Sequence, residues 1–566
     1  MSSFKRMSGI GVVAGCTLVI LVTNVASSSA ALAVSLTPLE RLEQWLGIAD
    51  ETDVTAPVDY GPGPGVQLKT EGVTQTMAAV PMATLRSASK RIPTGTSRAG
   101  TTGVFGPAIA WPIIPIHVVL LPDGRVMDYG TSASGAQGAQ FIYDVWDPTL
   151  GTGANAHVVL PNKTNTDLFC STQSVMLSGE VLTSGGDLTI EGKRGSAQNN
   201  TTIFSPSANT LTANTPMSYA RWYGSLVSLS NGQLAIFGGR QNLETLAPAQ
   251  AAITPERYDP ASRSWTSLTG ATSTTAFGTA DWYYPRSYVA PGGKVFVLSH
   301  LGQLYYVSTA GLGTITRANA VAPIGHAALP TIPFAPGRAL SLRLNRQVVV
   351  IDYRSSAPVV TTTDDMDLVR YWASGSIMAD GRVLVTGGSQ VPNVLTGVAY
   401  TAQIWDPGSV HWTAGATATK PRLYHSNSML LPDATVLTGG GGAPGPVNNL
   451  NAEIFYPPYL YTAEGEPAVR PVIASVASVF LNPGDTLNFT VGPTDTISQL
   501  TFIRTGSATH SNNSDQRFLD LNYQQEGQNV TAVLPNDTTI MVPGYYMVFA
   551  FNSAGVPSIA RIVKVM

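Results

Sequence analysis

Leu229-Ser-Asn-Gly-Gln-Leu-Ala-Ile-Phe-Gly-Gly239 and Ala379-Asp-Gly-Arg-Val-Leu-Val-Thr-Gly-Gly388 carry one phrase: a glycine turn, an apolar strand, then a glycine pair. The phrase recurs as LPDGRVMDYG from Leu121, LSGEVLTSGG from Leu177, APGGKVFVLS from Ala290 and LPDATVLTGG from Leu431. A seventh, degenerate copy is expected over 342–353 (LRLNRQVVVIDY). The spacing is mostly about fifty residues, the period of kelch-type propeller blades. Between copies, YDVWDP from Tyr143, RYDPASRSW from Arg257 and IWDPGSVHW from Ile404 read as outer strands of the same units. Apolar alternation broken by turn residues is the pattern of antiparallel hairpins. The expected architecture is therefore all-β: a seven-bladed propeller over 105–467, built by radial repetition around a central channel.

Composition agrees. A chain of 566 residues needs several domains or a repeat that grows with length. Only 12% of its residues are charged, against 55 glycines and 39 prolines, which suits short strands and tight turns better than amphipathic helices. A formal net charge of −3 leaves no basic footprint, so nucleic acid is not an expected partner. After about residue 467 the phrase stops. Short strands such as TLNFTV from Thr486 and YYMVFAF from Tyr545 then predict an immunoglobulin-like (early-set) β-sandwich over 468–566.

The N-terminus reads as an export signal over 1–33. Lys5 and Arg6 precede an apolar run from Ile10 to Val25, and small residues follow, with cleavage expected after Ala30 or Ala33. A retained N-terminal anchor is the alternative. Residues 34–104 are expected to be irregular, apart from a helical pattern over 37–48 capped by Thr37 and Glu40. The expected location is secreted, extracellular or at the cell surface, with no stable membrane insertion once the signal is removed. Association with the surface or the extracellular matrix is compatible with that location. Cys16 lies in the signal, so the mature chain would keep Cys170 alone and could form no internal disulfide.

Aligning the copies on their turn glycine gives that cysteine a place. Nine residues before Gly179 stands Cys170; nine before Gly232, Gly293 and Gly381 stand Tyr223, Tyr284 and Trp372. In the last copy Ala434 replaces the glycine, and nine before it is His425. Equivalent positions of equivalent repeats form a ring about the axis, so these side chains should converge at one mouth of the channel. Tyr424 adds a second phenol beside His425. Of the other histidines, His117, His157, His300, His326 and His411 read as packed or surface residues. His510 lies in a polar loop of the last domain that could thread toward the channel.

Four stretches carry a resemblance: Thr166-Asp-Leu-Phe-Cys170, Ala220-Arg-Trp-Tyr223, Arg422-Leu-Tyr-His425, and Thr509-His510 with Asp515-Gln-Arg517. In this order, on this scaffold, they resemble the motifs of the copper radical oxidases, the galactose oxidase and glyoxal oxidase family. The resemblance implies a thioether between Cys170 and the Tyr223 ring, and one copper ion bound by Tyr223, His425 and His510. Tyr424 would be the axial phenol and the base. It implies oxidation of small aldehydes (as hydrates) or primary alcohols by O₂, with release of H₂O₂. Imidazole and phenolate suit Cu(II). No aromatic stands between Arg240 and Gln250, where galactose oxidase carries a ring over its crosslinked tyrosine, and the N-terminal stretch is too irregular for a carbohydrate-binding sandwich. Both departures favour the glyoxal oxidase-like branch. Trp372 is then the expected shield of the radical, and Tyr284 a pocket wall.

Two other readings compete. A non-catalytic kelch propeller binding glycan or protein would leave the convergence of Cys, two Tyr and two His without a purpose. A copper site without a radical would use Cys170 as a thiolate ligand, and such sites usually add a weak axial methionine, for which Met176, Met217 and Met429 are the nearby candidates.

Overall fold

The computed structural model describes residues 92–566, apart from 191–192, 242–249 and 279–280. The expected export signal and the helical pattern over 37–48 lie outside the described residues.

The repeats become antiparallel four-stranded meanders, seven among the described residues. Their innermost strands are His117–Leu120, Thr172–Val175, Ser225–Ser228, Arg286–Val289, Thr331–Ala335, Tyr371–Ile377 and Ser426–Leu430. Ser426–Leu430 packs on His117–Leu120, and that strand packs on Thr172–Val175. Helix is almost absent among the described residues, the longest piece being a single turn such as Ala99–Thr102. The last meander takes its outer strand, Val104–Phe105, from the start of the described chain, pairing Val104 with Tyr456. No helix among the described residues is long and apolar enough to cross a membrane.

Each quoted phrase spans the hairpin between first and second strands. Its glycine takes a positive φ, as at Gly381 (+86°) and Gly179 (+93°). A Cβ at Gly381 would also stand 2.5 Å from the Phe518 ring, and one at Gly179 would stand 2.9 Å from the Tyr545 hydroxyl. The turns are bare because the last domain sits on them. Ala434, in the same place, is held at φ +66°.

The expected copy at 342–353 is displaced. That segment joins the second strand of its meander, Arg338–Leu342, to the third, Val348–Asp352. The true turn is Pro336-Gly337, with Gly337 at φ +73° between Thr331–Ala335 and Arg338–Leu342. The run Val348–Ile351, apolar because it is buried, outweighs the shorter proline-glycine signal. Nine residues before Gly337 is Ala328, so the ring in this blade carries a small residue.

After the meanders come two packed sheets. One contains Ile473–Val476, Thr486–Val491 and Asn529–Val533, and the other Ile497–Arg504, Gly544–Asn552 and Arg561–Val565. Leu487, Phe489, Val491, Leu500, Phe502 and Val548 fill the space between them. From this sandwich a hairpin, Ser507–Thr509 and Asn512–Asn513, reaches out and joins the innermost strand of the first meander, pairing Ala508 with Val118 and Ser507 with Val119. His510 and Ser511 form its two-residue tip, both at positive φ (48° and 60°). Positive φ at both central residues is what such a tight hairpin requires.

Candidate metal centre

Backbone hydrogen bonds join several of the aligned positions to their neighbours. The Tyr223 N–H donates to the Cys170 carbonyl at 3.0 Å, Tyr284 N–H to Tyr223 at 2.8 Å, and Trp372 N–H to Ala328 at 2.8 Å. Cys170, Tyr223, Tyr284, Trp372 and His425 all take positive φ, between 35° and 68°. Non-glycine residues pay strain for that conformation, and such strain concentrates at functional sites. Cys170, Tyr223, Tyr284 and His425 turn just ahead of their innermost strands, and Trp372 turns at the start of its own.

Cys170, Tyr223, Tyr284, Trp372 and Tyr424 share one buried cluster. The Tyr223 and Tyr424 hydroxyls lie 2.5 Å apart. Cys170 Sγ stands 3.9 Å from His425 Nε2 and 3.8 Å from His510 Nε2. The ligand atoms of Cys170, His425 and His510 all fall within 4.8 Å of one another, the one such group of His, Cys, Asp or Glu among the described residues. The Tyr424 ring stacks on His425 at 3.7 Å.

His425 is set to offer Nε2. His425 Nδ1 faces the Gly442 carbonyl at 2.7 Å; a carbonyl only accepts, so Nδ1 carries the proton. His510 Nδ1 meets the Thr509 hydroxyl at 2.5 Å. Burial drives the His425 pKa down to about 3 against the weaker opposing pull of the Gly442 carbonyl. Burial likewise holds His510 well below the usual histidine value, with His425 adding to the effect. Two neutral imidazoles, two phenols and a thiol, with one face walled by apolar groups, are a donor set that fits a copper ion.

The expected positions fare unequally. Trp372 packs on Tyr424, ring centroids 4.5 Å apart, rather than serving as the neighbour over Tyr223. The rings close to Tyr223 are Trp222 at 4.2 Å and Tyr283 at 4.4 Å. The reason is topological: Trp372 belongs to the meander that packs on that of Tyr424, whereas Tyr283 immediately precedes the aligned position in the meander after Tyr223. Tyr284 stands 4.9 Å from the His510 ring and donates its hydroxyl to the Ser171 carbonyl at 2.7 Å, so it braces the centre from inside. Met176 and Met217 pack into one hydrophobic core and Met429 into another.

Of the histidines read as packing residues, His411 is exposed beside Asp364, and His157 pairs with buried Asp144. His117 is different: fully buried, its ring lies 5.6 Å from that of His510. It stands two residues beyond the ring position of its blade. The equivalent residues Thr172, Ser225, Arg286, Ser374 and Asn427 are also polar, with Pro330 the exception, a second layer that the same alignment exposes.

Comparison with known proteins agrees with this geometry. Residues 470–565 match the family described as galactose oxidase-like, early set domain. A galactose oxidase of Gibberella zeae is 28% identical over 82% of this chain and 70% of its own length. Aldehyde oxidase GLOX of Vitis pseudoreticulata is 24% identical over 75% of this chain and 88% of its own. The solved structure of a fungal alcohol oxidase in complex with copper superposes with a TM-score of 0.72 at 24% identity, covering 82% of this chain and 100% of that one. The fold and its relatives thus define an oxidase with a galactose oxidase-like fold. Among named proteins, its homologues are galactose oxidase and aldehyde oxidase GLOX, as the four motifs predict.

Proposed function

We propose that the chain is an exported copper radical oxidase that oxidises aldehydes (as their hydrates) or primary alcohols with O₂ and releases H₂O₂. The seven meanders are read as blades of a closed propeller, and the last domain as the cap that inserts His510 into its channel. The observation that carries this is the pair of phenol oxygens 2.5 Å apart, enclosed with two neutral imidazoles and a thiol.

Tyr223, His425, His510 and Tyr424 are the residues that would hold the ion. Copper, when bound, supplies a one-electron acceptor beside the phenols. The Cys170 sulfur joined to the Tyr223 ring lowers the potential at which that ring gives up an electron. The second acceptor is then the Tyr223 radical. Tyr424 takes the hydroxyl proton of the substrate, and Tyr223 takes a hydrogen atom from its carbon. The two electrons and two protons removed are those that turn O₂ into H₂O₂. Tyr283 and Trp222 cover the radical ring, the role first expected of Trp372.

Peptide mapping after exposure to copper and oxygen tests the reading. It requires a non-reducible species joining the Cys170 and Tyr223 peptides with two hydrogens lost, and peroxide production from an aldehyde or a primary alcohol in a peroxidase-coupled assay. A freely alkylated Cys170 would overturn it. The distances from Cys170 Sγ to both Nε2 atoms also favour a second reading, a thiolate copper site. That reading leaves both phenols idle, and the three nearby methionines are packed into cores.

A further inference from the structure

His117 is the imidazole of the channel that the proposed chemistry does not use. It opens the innermost strand of the first meander, directly before Val118, the residue paired with Ala508 of the inserted hairpin. Its hydrogen bonds fix where its proton sits. Gln173 Nε2 donates to the Ala508 carbonyl at 3.3 Å, which can only accept. The amide oxygen of Gln173 therefore faces the other way, where it receives the Tyr129 hydroxyl at 3.0 Å and His117 Nδ1 at 2.9 Å. Nδ1 must carry the hydrogen, and full burial keeps the ring neutral. The flat stack of His117 on Tyr129, at 4.5 Å and 7°, prevents the ring from tilting away.

What remains is a bare Nε2, fully enclosed and without a hydrogen-bond partner. A buried acceptor lacking a donor costs about 1–3 kcal/mol, and in native proteins it usually marks an ordered water or a ligand. His117 lies outside the close group of Cys170, His425 and His510, so it stands one layer behind the metal ligands. Resting on the copper reading above, we propose that His117 is a positioning residue of the copper centre, whose Nε2 accepts a hydrogen bond from a water molecule ordered beside His510. With His510 Nδ1 on Thr509 and Nε2 kept for copper, the water makes no bond to that ring; together with the fixed His117–Gln173–Tyr129 wall it fills the space beside the ring and limits its rotation. Residues one layer behind metal ligands commonly contribute about 10–100-fold to metal affinity.

The test compares His117→Phe with His117→Gln in the full chain. Phenylalanine keeps the stack on Tyr129 but has no acceptor; glutamine returns an amide oxygen near the place of Nε2. Copper affinity is read by chelator competition, alongside the Cu(II) electron paramagnetic resonance spectrum and the thermal midpoint of the metal-free protein. The expected result is about a tenfold or greater loss of affinity and altered hyperfine splitting in His117→Phe, with His117→Gln within about threefold of wild type. Equal affinity in His117→Phe and wild type overturns the proposal. So does an equal loss in both variants that follows their thermal midpoints, since that describes packing. A wild-type chain that binds no copper overturns the oxidase reading and this inference together.

Discussion

The backbone N–H of Tyr223 donates to the carbonyl of Cys170 across 3.0 Å, binding two neighbouring blades at the residues whose side chains matter most. Both residues are held in the left-handed region, at φ 65° and 56°. The thiol and the phenol are thus fixed in one buried cluster before any covalent bond joins them. Replacement of Cys170 separates the two copper readings. If the sulfur modifies Tyr223, Cys170→Ala keeps copper affinity within a few-fold and loses at least about a hundredfold in turnover, a loss of some 3 kcal/mol in transition-state stabilisation. Copper affinity that collapses in Cys170→Ala would make the sulfur a ligand instead. Equilibrium copper titration and the peroxide assay on the same preparation decide it.

Thr509 sets the other imidazole. Its hydroxyl meets His510 Nδ1 at 2.5 Å, at the tip of a hairpin whose two central residues are already strained. Removing that partner frees the ring to rotate and weakens Nε2 as a donor. Thr509→Ala is expected to lower copper affinity by about 10–100-fold, and Thr509→Ser to restore most of it. Failure of serine to rescue would mean that the methyl group, not the hydroxyl, holds the hairpin tip.

How far the site was legible follows from where each part is encoded. Cys170, Tyr223, Tyr284, Trp372 and His425 could be placed together because a repeat converts equal sequence offset into equal position about an axis. His510 could be singled out by its polar loop, but its arrival in the channel depends on pairing between Ala508 and Val118, a contact between segments almost four hundred residues apart. The partner of Tyr223 was misjudged for a similar reason. Which ring faces which depends on side-chain direction across adjacent blades, and Tyr283 and Trp222 stand one residue off the ring positions. His117 was passed over because an isolated histidine in an apolar strand gives no signal until the second layer of the channel is aligned as well. The displaced copy at 342–353 shows the opposite hazard, a strong apolar run outweighing the modest turn Pro336-Gly337.

Buried histidines make the metal-free protein acid-sensitive. Burial lowers His117 and His425 to about 3 and lowers His510 as well, so all three stay neutral in the folded chain. Unfolded, each takes a proton below about pH 6.5. The unfolded state then binds more protons, and stability falls as pH drops from 6.5 toward 3, by up to about 1.4 kcal/mol per pH unit for each histidine. Burial holds His300 low as well, a fourth such histidine, so the thermal midpoint of metal-free protein should fall across that window on acidification and His117→Phe should flatten the slope by about a quarter. An unchanged slope in that variant would mean that His117 is protonated or exposed when folded.

The hairpin that carries His510 is fastened at its base. Arg504 precedes the hairpin, Asp515 follows it, and their side chains form a buried ion pair. Asp515 Oδ1 also accepts from Ser174 at 3.1 Å and Ser228 at 3.2 Å, on the innermost strands of the second and third meanders. One carboxylate therefore ties the base of the hairpin to two blades while compensating the arginine. Asp515→Asn preserves the shape and most acceptor contacts but leaves Arg504 charged and buried, a change that typically costs about 3–5 kcal/mol. The thermal midpoint should fall, and copper affinity should fall with it, because His510 stands only five residues away on the same hairpin. Replacing both partners with apolar residues of similar volume should recover much of the stability, since the uncompensated charge is then gone. If that double variant regains its midpoint but not its copper, the serine contacts to Asp515 are what register His510 in the channel. If it regains both, the hairpin is seated by strand pairing alone and the ion pair is dispensable. A single Asp515→Asn change that left both midpoint and affinity untouched would exclude any fastening role for Asp515.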